Sequence, residues 1–144
     1  MQSRGLTATA AAVARAPATG TIDDLAAHRH TLVVTFRRDG TPVATPVWGA
    51  LAGGAVYVRA ERDSGKVKRL RGDGRALLAP CSARGHALGP ALEARGRVLA
   101  AGEEGVAEDA LARRYGTVRA LFEQTMDVMR VDMCYLELAA GTPR

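Results

Sequence analysis

The sequence predicts a small α+β protein built around a six-stranded antiparallel β-barrel with flanking helices. Short runs of apolar and β-branched residues recur along the chain, as expected for strands. Two turn signals, Asp39-Gly40 and Gly53-Gly54, join the first three runs into a meander. Segments with helical periodicity interrupt the later runs, so we expect helices to pack around the barrel.

The chain length and composition fit a single packed domain. The chain has 144 residues, of which 47% are hydrophobic and only 4% are aromatic. Its core must therefore rely on Val, Leu and Ala, which suits a tightly filled barrel. Residues 1–19 are small and polar and include a proline, which predicts a mobile N-terminal arm, and residues 20–144 form the barrel domain.

The predicted strands are apolar or alternating runs bounded by turn residues. They are Thr31–Arg38, Thr41–Leu51, Ala55–Ala60, Ala76–Cys81, Ala91–Ala100 and Val131–Leu138. The run at Ala76–Cys81 is apolar on both faces, so that strand should be buried. The run at Ala91–Ala100 alternates cleanly, so one face of that strand should lie in the core and the other in solvent.

Three helical segments are predicted, one before the first strand and two between later strands. Thr21 can cap a short helix that has two acids in its first turn. Ser64 can cap a second helix that continues to about Arg71. Apolar residues at spacings of three and four predict a third helical segment over Glu103–Met129, broken near Gly116.

The charge balance indicates an anionic partner. The formal net charge is +5, which fits either nucleic acid or a polyanionic small ligand. Nucleic acid is disfavoured because no aromatic residues are interleaved with the cations. The two lysines of the chain, Lys66 and Lys68, fall close together in one basic segment. We therefore expect a small-molecule partner and no nucleic acid.

The cysteines and histidines indicate a cytoplasmic protein without a metal site. Cys81 and Cys134 lie in apolar strand-like runs, where reduced core thiols are favoured over a disulfide. His28, His30 and Cys81 form no compact ligand set, and the two histidines are expected at the surface. No apolar run approaches the roughly 20 residues of a membrane span, so we expect no membrane partner.

Two prolines interrupt the second predicted strand. Pro42 and Pro46 cannot donate ladder hydrogen bonds, so this strand should be unpaired along part of one side. A free side could offer its backbone groups and the Thr45 hydroxyl to a planar ligand. Alternatively, the prolines only protect an edge strand from aggregation. The nearby Trp48 could stack on a ring or fill the core.

The basic segment after the third strand suits a phosphate. Lys66 falls in the first helical turn, where free backbone amides and the helix dipole favour an anion. The alternative is a solvated basic face. Arg84 and His86 lie in a loop after the buried strand, a common place for ligand contacts. No nucleophile–base pair is recognisable, so we expect no catalytic side chain and a cofactor that does the chemistry.

Three segments, together with one dipeptide, resemble the corresponding segments of a known family. The segments are Arg38–Trp48, Ser64–Leu70 and Leu78–Cys81, and the dipeptide is Arg84-Gly85. Across roughly residues 22–138, in the right order, the chain resembles the split-barrel flavin and deazaflavin oxidoreductases. These are actinobacterial relatives of pyridoxamine-phosphate oxidase, and the branch in question uses coenzyme F420. The resemblance implies an FMN-binding-type split β-barrel and a homodimer with two cofactor sites at the subunit interface.

The resemblance also implies the cofactor-binding residues. The ring-contacting strand matches Thr45, Pro46, Val47 and Trp48. The phosphate-binding segment matches Ser64, Lys66, Lys68 and Arg69. The other side of the ring matches Ala79, Pro80 and Cys81, and Arg84 is matched to the acidic tail of the cofactor.

The implied function is that of an F420-dependent reductase, in which the reduced deazaflavin delivers a hydride to a small unsaturated substrate. The poly-glutamate tail of F420 would also account for the positive charge of the chain. Two alternatives remain open: an FMN-dependent oxidoreductase of the same fold, and a non-catalytic protein that binds F420 or a tetrapyrrole. The N-terminal arm is longer than the family pattern leads us to expect.

Overall fold

Six antiparallel strands close into a barrel. The structure is a computed structural model, and it describes residues 4–116 and 129–141. The strands are β1 (His30–Phe36), β2 (Pro42–Ala52), β3 (Ala55–Glu61), β4 (Arg75–Cys81), β5 (Leu92–Val98) and β6 (Met133–Ala140). Their order around the barrel is β1-β2-β3-β6-β5-β4, with β4 pairing back onto β1. The predicted six-stranded antiparallel barrel is confirmed.

Three α-helices and two short 3₁₀ helices accompany the barrel. The α-helices are α1 (Arg4–Arg15), α2 (Gly65–Gly72) and α3 (Glu104–Tyr115), and the 3₁₀ helices are Ile22–Leu25 and Ala101–Glu103. Helix α3 ends where the sequence predicted a break, because Gly116 has a φ of 54°. The rest of that predicted helical segment, through residue 128, lies outside the described residues. None of the described helices has the length and apolar character needed to cross a bilayer.

The N-terminal segment differs from the expected mobile arm. Arg4–Arg15 forms a helix whose Ala10 and Val13 are buried against the outer face of the barrel. Alanine has the highest helix propensity, and Leu6, Ala10 and Val13 recur at helical spacing on one face. The many small and polar residues of this segment predicted an arm, but Leu6, Ala10 and Val13 form an apolar stripe once the segment is helical.

Strand β2 is divided between two neighbours. It pairs with β1 from Pro42 to Trp48, but it pairs with β3 only over Gly49–Ala52. Within the described residues, no second strand therefore pairs with β2 over Thr45–Trp48. This confirms the unpaired side that the prolines predicted. Beyond the Gly49–Val58 pair, β3 diverges from β2 and leads to Ser64 and the start of α2.

Helix α2 packs on one end of the barrel. Val67 and Leu70 are buried in the same core cluster as the interior residues of the strands. Leu70 lies over Gly96 of β5, where an added Cβ would come within 2.7 Å of Leu70 Cδ2. Glycine at position 96 therefore lets α2 approach the sheet closely. The alternation predicted for β5 is confirmed, since its even-numbered residues face inward.

A tight hairpin joins β1 to β2. The Arg37 amide donates to Thr41 O at 3.0 Å, and the Gly40 amide donates to Arg37 O at 2.9 Å. Gly40 adopts a φ of 89°, which glycine reaches without a steric cost. The Thr41 amide also donates to Asp39 Oδ1 at 2.9 Å. The predicted Asp39-Gly40 turn is confirmed, and it holds Arg37 and Arg38 at the Phe36 end of β1.

Candidate ligand site at strand β2 and helix α2

The open edge of β2 carries the residues that were matched to a cofactor ring. Val47 packs with Val33 in the barrel core, whereas Thr45 and Pro46 are partly exposed. Thr45 pairs in register with Val33, and Pro46 pairs with Leu32. Because proline has no amide hydrogen, it suits register positions that do not donate to β1. This edge can therefore present backbone carbonyls and the Thr45 side chain to a ligand.

Trp48 lies in an aromatic pair on the outer surface of the barrel. Its ring stacks on Tyr115 at the end of α3, with centroids 5.2 Å apart and an interplanar angle of 21°. The Tyr115 hydroxyl is anchored by Gly49 O at 2.7 Å. Burial raises the pKa of Tyr115. Trp48 remains 37% exposed, so it neither fills the barrel core nor stands free beside the β2 edge.

His30 fixes the orientation of the Trp48 ring. The indole Nε1–H donates to His30 Nε2 at 2.8 Å. This bond requires an unprotonated Nε2, so the neutral imidazole carries its hydrogen on Nδ1. The histidine expected at the surface is therefore partly buried and belongs to the Trp48 cluster. A cavity of about 210 Å³ adjoins this cluster, and its lining residues are Ala27, His28, Arg29, Trp48, Arg114 and Tyr115.

Ser64 occupies the N-cap position of α2, as predicted, but its side chain makes no capping hydrogen bond. The Ser64 Oγ atom is buried and has no hydrogen-bond partner among the described residues. An unsatisfied buried hydroxyl costs roughly 1–3 kcal/mol, so a ligand that bonds to it would recover that energy. This atom fits a phosphate oxygen at the start of α2.

Lys66 is partly buried, in contrast to the exposed basic face that the sequence allowed. Burial lowers the pKa of Lys66, Glu61 opposes that shift, and the nearby Arg69 adds to it. Two cations are therefore held close together in a partly desolvated position. An anion placed beside them would relieve their repulsion.

Arg69 reaches back towards the start of its own helix. Its Nε donates to Thr35 Oγ1 of β1 at 2.6 Å. Its Nη1 lies so near Gly65 that an added Cβ there would be only 2.6 Å from it. Burial, followed by the charge of Arg37, lowers the pKa of Arg69. The structure thus brings Ser64, Lys66 and Arg69 together around the first turn of α2.

A larger basic cavity lies between α2 and the β1–β2 hairpin. Its volume is about 660 Å³, and its lining residues are Phe36, Arg37, Arg38, Lys68, Arg69, Gly72 and Asp73. The matched residues Lys68 and Arg69 are thus joined by two hairpin arginines that had no predicted role. The signal was in the sequence, because Arg37 and Arg38 stand directly before the Asp39-Gly40 turn.

The β4 residues matched to the ring are enclosed by the protein. Ala79 and Cys81 are 0% and 2% exposed and belong to the cluster that α1 covers. Pro80 is also buried, and its carbonyl accepts the Leu88 amide at 2.8 Å. Burial raises the pKa of Cys81 to about 11, so the thiol stays protonated near neutral pH. In this chain β4 pairs edge to edge with β1, and its Ala79–Cys81 stretch is buried.

Arg84 is exposed on the loop after β4. That loop leaves β4 at Cys81, which pairs with His30 at one end of β1, whereas Arg37 and the basic cavity lie beyond Phe36 at the other. The seven-residue strand between them spans about 20 Å at roughly 3.3 Å per residue. Arg84 is therefore not brought into the cavity that Lys68 and Arg69 line. No group of three or more His, Cys, Asp or Glu residues in 4–116 and 129–141 could hold a metal ion.

Comparison with known proteins identifies the fold. The chain matches no protein-family model and no curated protein. It is similar to the solved structure of an F420 reductase, with a TM-score of 0.52, 18% identity, and coverage of 88% of this chain and 97% of that one.

Two further solved structures have the same architecture. A candidate pyridoxamine 5'-phosphate oxidase from Listeria innocua has a TM-score of 0.56 and 10% identity, covering 85% of this chain and 92% of that one. HutZ, the haem storage protein from Vibrio cholerae, has a TM-score of 0.61 and 9% identity, covering 84% and 87%. The chain therefore has the split-barrel fold of the pyridoxamine-phosphate-oxidase-like proteins.

Proposed function

We propose that this protein is an oxidoreductase that binds coenzyme F420 and transfers hydride to a small unsaturated substrate. The observation that carries the proposal is the pair formed by the open β2 edge and the cationic first turn of α2. Strands β2 and β3 diverge beyond Gly49, and β3 leads to Ser64. A ligand with a flat ring and a phosphate can therefore span from one to the other.

The start of α2 fits the phosphate. The orphaned Ser64 hydroxyl can donate one hydrogen bond, and the Lys66 ammonium and the Arg69 guanidinium supply charge-assisted bonds. The free backbone amides of the first helical turn point towards the same place. Three side chains and the helix terminus thus converge on one anion.

The β2 edge fits the ring. Thr45 and Pro46 are partly exposed there, and the backbone has no strand partner on that side in the described residues. When bound, the reduced deazaflavin supplies the hydride. The residues of the chain would hold the ring flat along β2, keep water from one side of it and fix its distance from the substrate. No side chain needs to act as a nucleophile.

The comparisons support this proposal at the level of the fold, since one similar structure is an F420 reductase. FMN also carries a phosphate, so the α2 site suits an FMN-dependent enzyme equally well. Because one similar structure, HutZ, is a haem storage protein, a non-catalytic binding protein is the third candidate function. We further infer that a second copy of the chain completes the site at a homodimer interface, which sedimentation at micromolar concentration would test.

A parallel titration tests the proposal. F420 and FMN are added separately to the wild-type protein, to Lys66→Ala and to the control Arg71→Ala, an exposed cation on the same helix. We expect Lys66→Ala to lose roughly 1.5–3 kcal/mol of cofactor affinity, as for charge-assisted hydrogen bonds. The control should change little. Equal affinity of the wild type and Lys66→Ala for both cofactors would reject the α2 phosphate site.

Two measurements, the relative affinities for F420 and FMN and the oxidation of reduced F420, distinguish the three functions. Tighter binding of FMN than of F420 would favour the FMN-dependent enzyme. Oxidation of reduced F420 in the presence of a panel of unsaturated substrates would support a reductase. Tight F420 binding without turnover on any substrate would favour the binding protein.

A further inference from the structure

The basic cavity between the β1–β2 hairpin and α2 is a second candidate site. Four cations and one carboxylate line its volume of about 660 Å³. That volume lies within the range of small-molecule pockets, roughly 300–1,000 Å³. Phe36 and Gly72 provide an apolar part of the lining. The cavity is therefore large enough for more than a single inorganic ion.

The cations of this cavity are available for a ligand. The ion pairs of the described residues lie elsewhere, at Arg62–Asp132 and around Arg97. The carboxylate of Asp73 accepts the Arg75 amide at 3.0 Å, and Asp39 nearby accepts the Thr41 amide. Within residues 4–116 and 129–141, Arg37, Arg38 and Lys68 thus form no ion pair with a carboxylate.

Hydrogen bonds hold the backbone of Arg37 and the side chain of Arg69 in place. Arg37 is part of the closed hairpin, where its amide and carbonyl groups both form hydrogen bonds. Arg69 is held by Thr35, which leaves its remaining N–H groups available. Four cations held close to a single lining carboxylate raise the energy of the empty site, and a bound anion lowers it.

We propose that this cavity binds a polyanionic small molecule that carries two or three negative charges on phosphate or carboxylate groups. The charge matches the excess of cations over carboxylates in the lining. The site shares Arg69 with the first turn of α2 but does not require the ring contact at β2. The proposal therefore goes beyond the cofactor assignment and stands without it.

Isothermal titration with two probes that lack a ring tests this proposal. The probes are pyrophosphate and a tri-glutamate peptide, each titrated into the full-length protein. We expect at least one to bind, and we expect the double variant Arg37→Gln/Arg38→Gln to bind it at least about tenfold more weakly. The exposed Arg71→Gln, which is not in the cavity lining, is the matched control and should stay within about twofold of wild type. The tighter probe shows whether the site prefers phosphate or carboxylate.

Three results would overturn the proposal: neither probe binds, the double variant binds like wild type, or Arg71→Gln weakens binding as much as the double variant. If the hairpin variant does not fold, the exposed Lys68→Gln serves as the test with the same expectation. Lys66→Ala separates the two sites, because it should weaken FMN binding and leave probe binding within about twofold. Failure of the cofactor assignment would thus leave the probe-binding result unchanged, and failure of probe binding would leave the cofactor assignment unchanged.

Discussion

Arg69 of α2 donates a hydrogen bond from its Nε to the hydroxyl of Thr35 on β1, at 2.6 Å. Thr35 is fully buried and pairs in register with Val43 of β2. A single side chain of the helix thus reaches a polar group inside the barrel, next to the strand with the open edge. The bond sets the direction of the guanidinium, and through it the positions of the N–H groups that face a ligand.

Replacing Thr35 by valine should release this arginine. Valine keeps the shape of threonine but cannot accept the bond, so we expect a loss of about 1–2 kcal/mol in the free energy of unfolding. Urea denaturation measures the loss. Thr31→Val, the same change at another buried β1 threonine, is the control. If both variants lose the same stability, the Arg69 bond contributes nothing specific.

Lys66 should make anion binding weaken at alkaline pH. Burial lowers its pKa in the folded protein below the usual 10.5. In the window between that lowered pKa and 10.5, the folded protein has therefore lost this proton, while the unfolded chain still holds it. An anion binds the protonated form, and affinity for a phosphate-bearing cofactor should therefore fall as pH rises through this window. The unliganded protein should gain stability over the same window, because the unfolded chain then holds the extra proton.

The matched variant is Lys66→Arg, since arginine keeps its charge throughout this range. Its cofactor affinity should stay level where that of the wild type declines. A series of dissociation constants from pH 7 to pH 10 measures both. An identical decline in the two proteins would show that Lys66 is not the titrating group.

The docking of α1 should protect Cys81 from thiol reagents. Cys81 lies under α1, and its raised pKa of about 11 keeps it as the unreactive thiol. Ala10→Asp places a charge on the buried face of α1, so we expect α1 to detach and Cys81 to be labelled many times faster. Ala8→Asp, an exposed position on the same helix, should leave the rate unchanged.

A second cysteine acts as an internal reference in that experiment. Cys134 is buried in a different core cluster, inside the barrel, and α1 does not cover it. Mass spectrometry of the labelled protein should therefore place the new label on Cys81 alone. Labelling of both cysteines would mean that Ala10→Asp unfolds the barrel and that α1 is not a separate cover.

The sequence predicted those elements whose signals are local. The Asp39-Gly40 hairpin, the alternation of β5 and the free side of the proline-containing β2 each depend on a few neighbouring residues. Helix α1 was missed because alanines carry little hydrophobic signal until a surface is available to bury them. The pairing of Trp48 with Tyr115 joins residues far apart in the chain, and no local pattern indicates it.

The same difference between local sequence signals and long-range packing applies to the candidate site. Ser64 and Lys66 were placed correctly at the start of α2, because helix termini have a recognisable signature. The burial of Lys66 and the contribution of Arg37 depend on how α2 packs against the hairpin. Neither follows from spacing along the chain.

Trp48 offers a fluorescence signal for the β2 region, because the chain has one tryptophan. Its indole donates to His30 Nε2 at 2.8 Å, so replacing this histidine by alanine removes the acceptor. We expect the emission maximum of Trp48 to shift in His30→Ala relative to the wild type, measured at one fixed pH. His86→Ala, at an exposed loop position, should keep the wild-type emission. An unchanged emission maximum in His30→Ala would show that this bond does not set the environment of Trp48.

Helix α2 carries core residues and ligand cations on the same few turns. Val67 and Leu70 close one end of the barrel, while Lys66, Lys68 and Arg69 lie at the candidate sites. A ligand held by these cations would bind only the folded chain, and by mass action a concentration of a hundred times its dissociation constant would add about 2.7 kcal/mol to stability. Amide hydrogen exchange at the barrel end under α2 should then slow in proportion to the added stability. The exchange rates of core amides would therefore measure how much of the site is occupied.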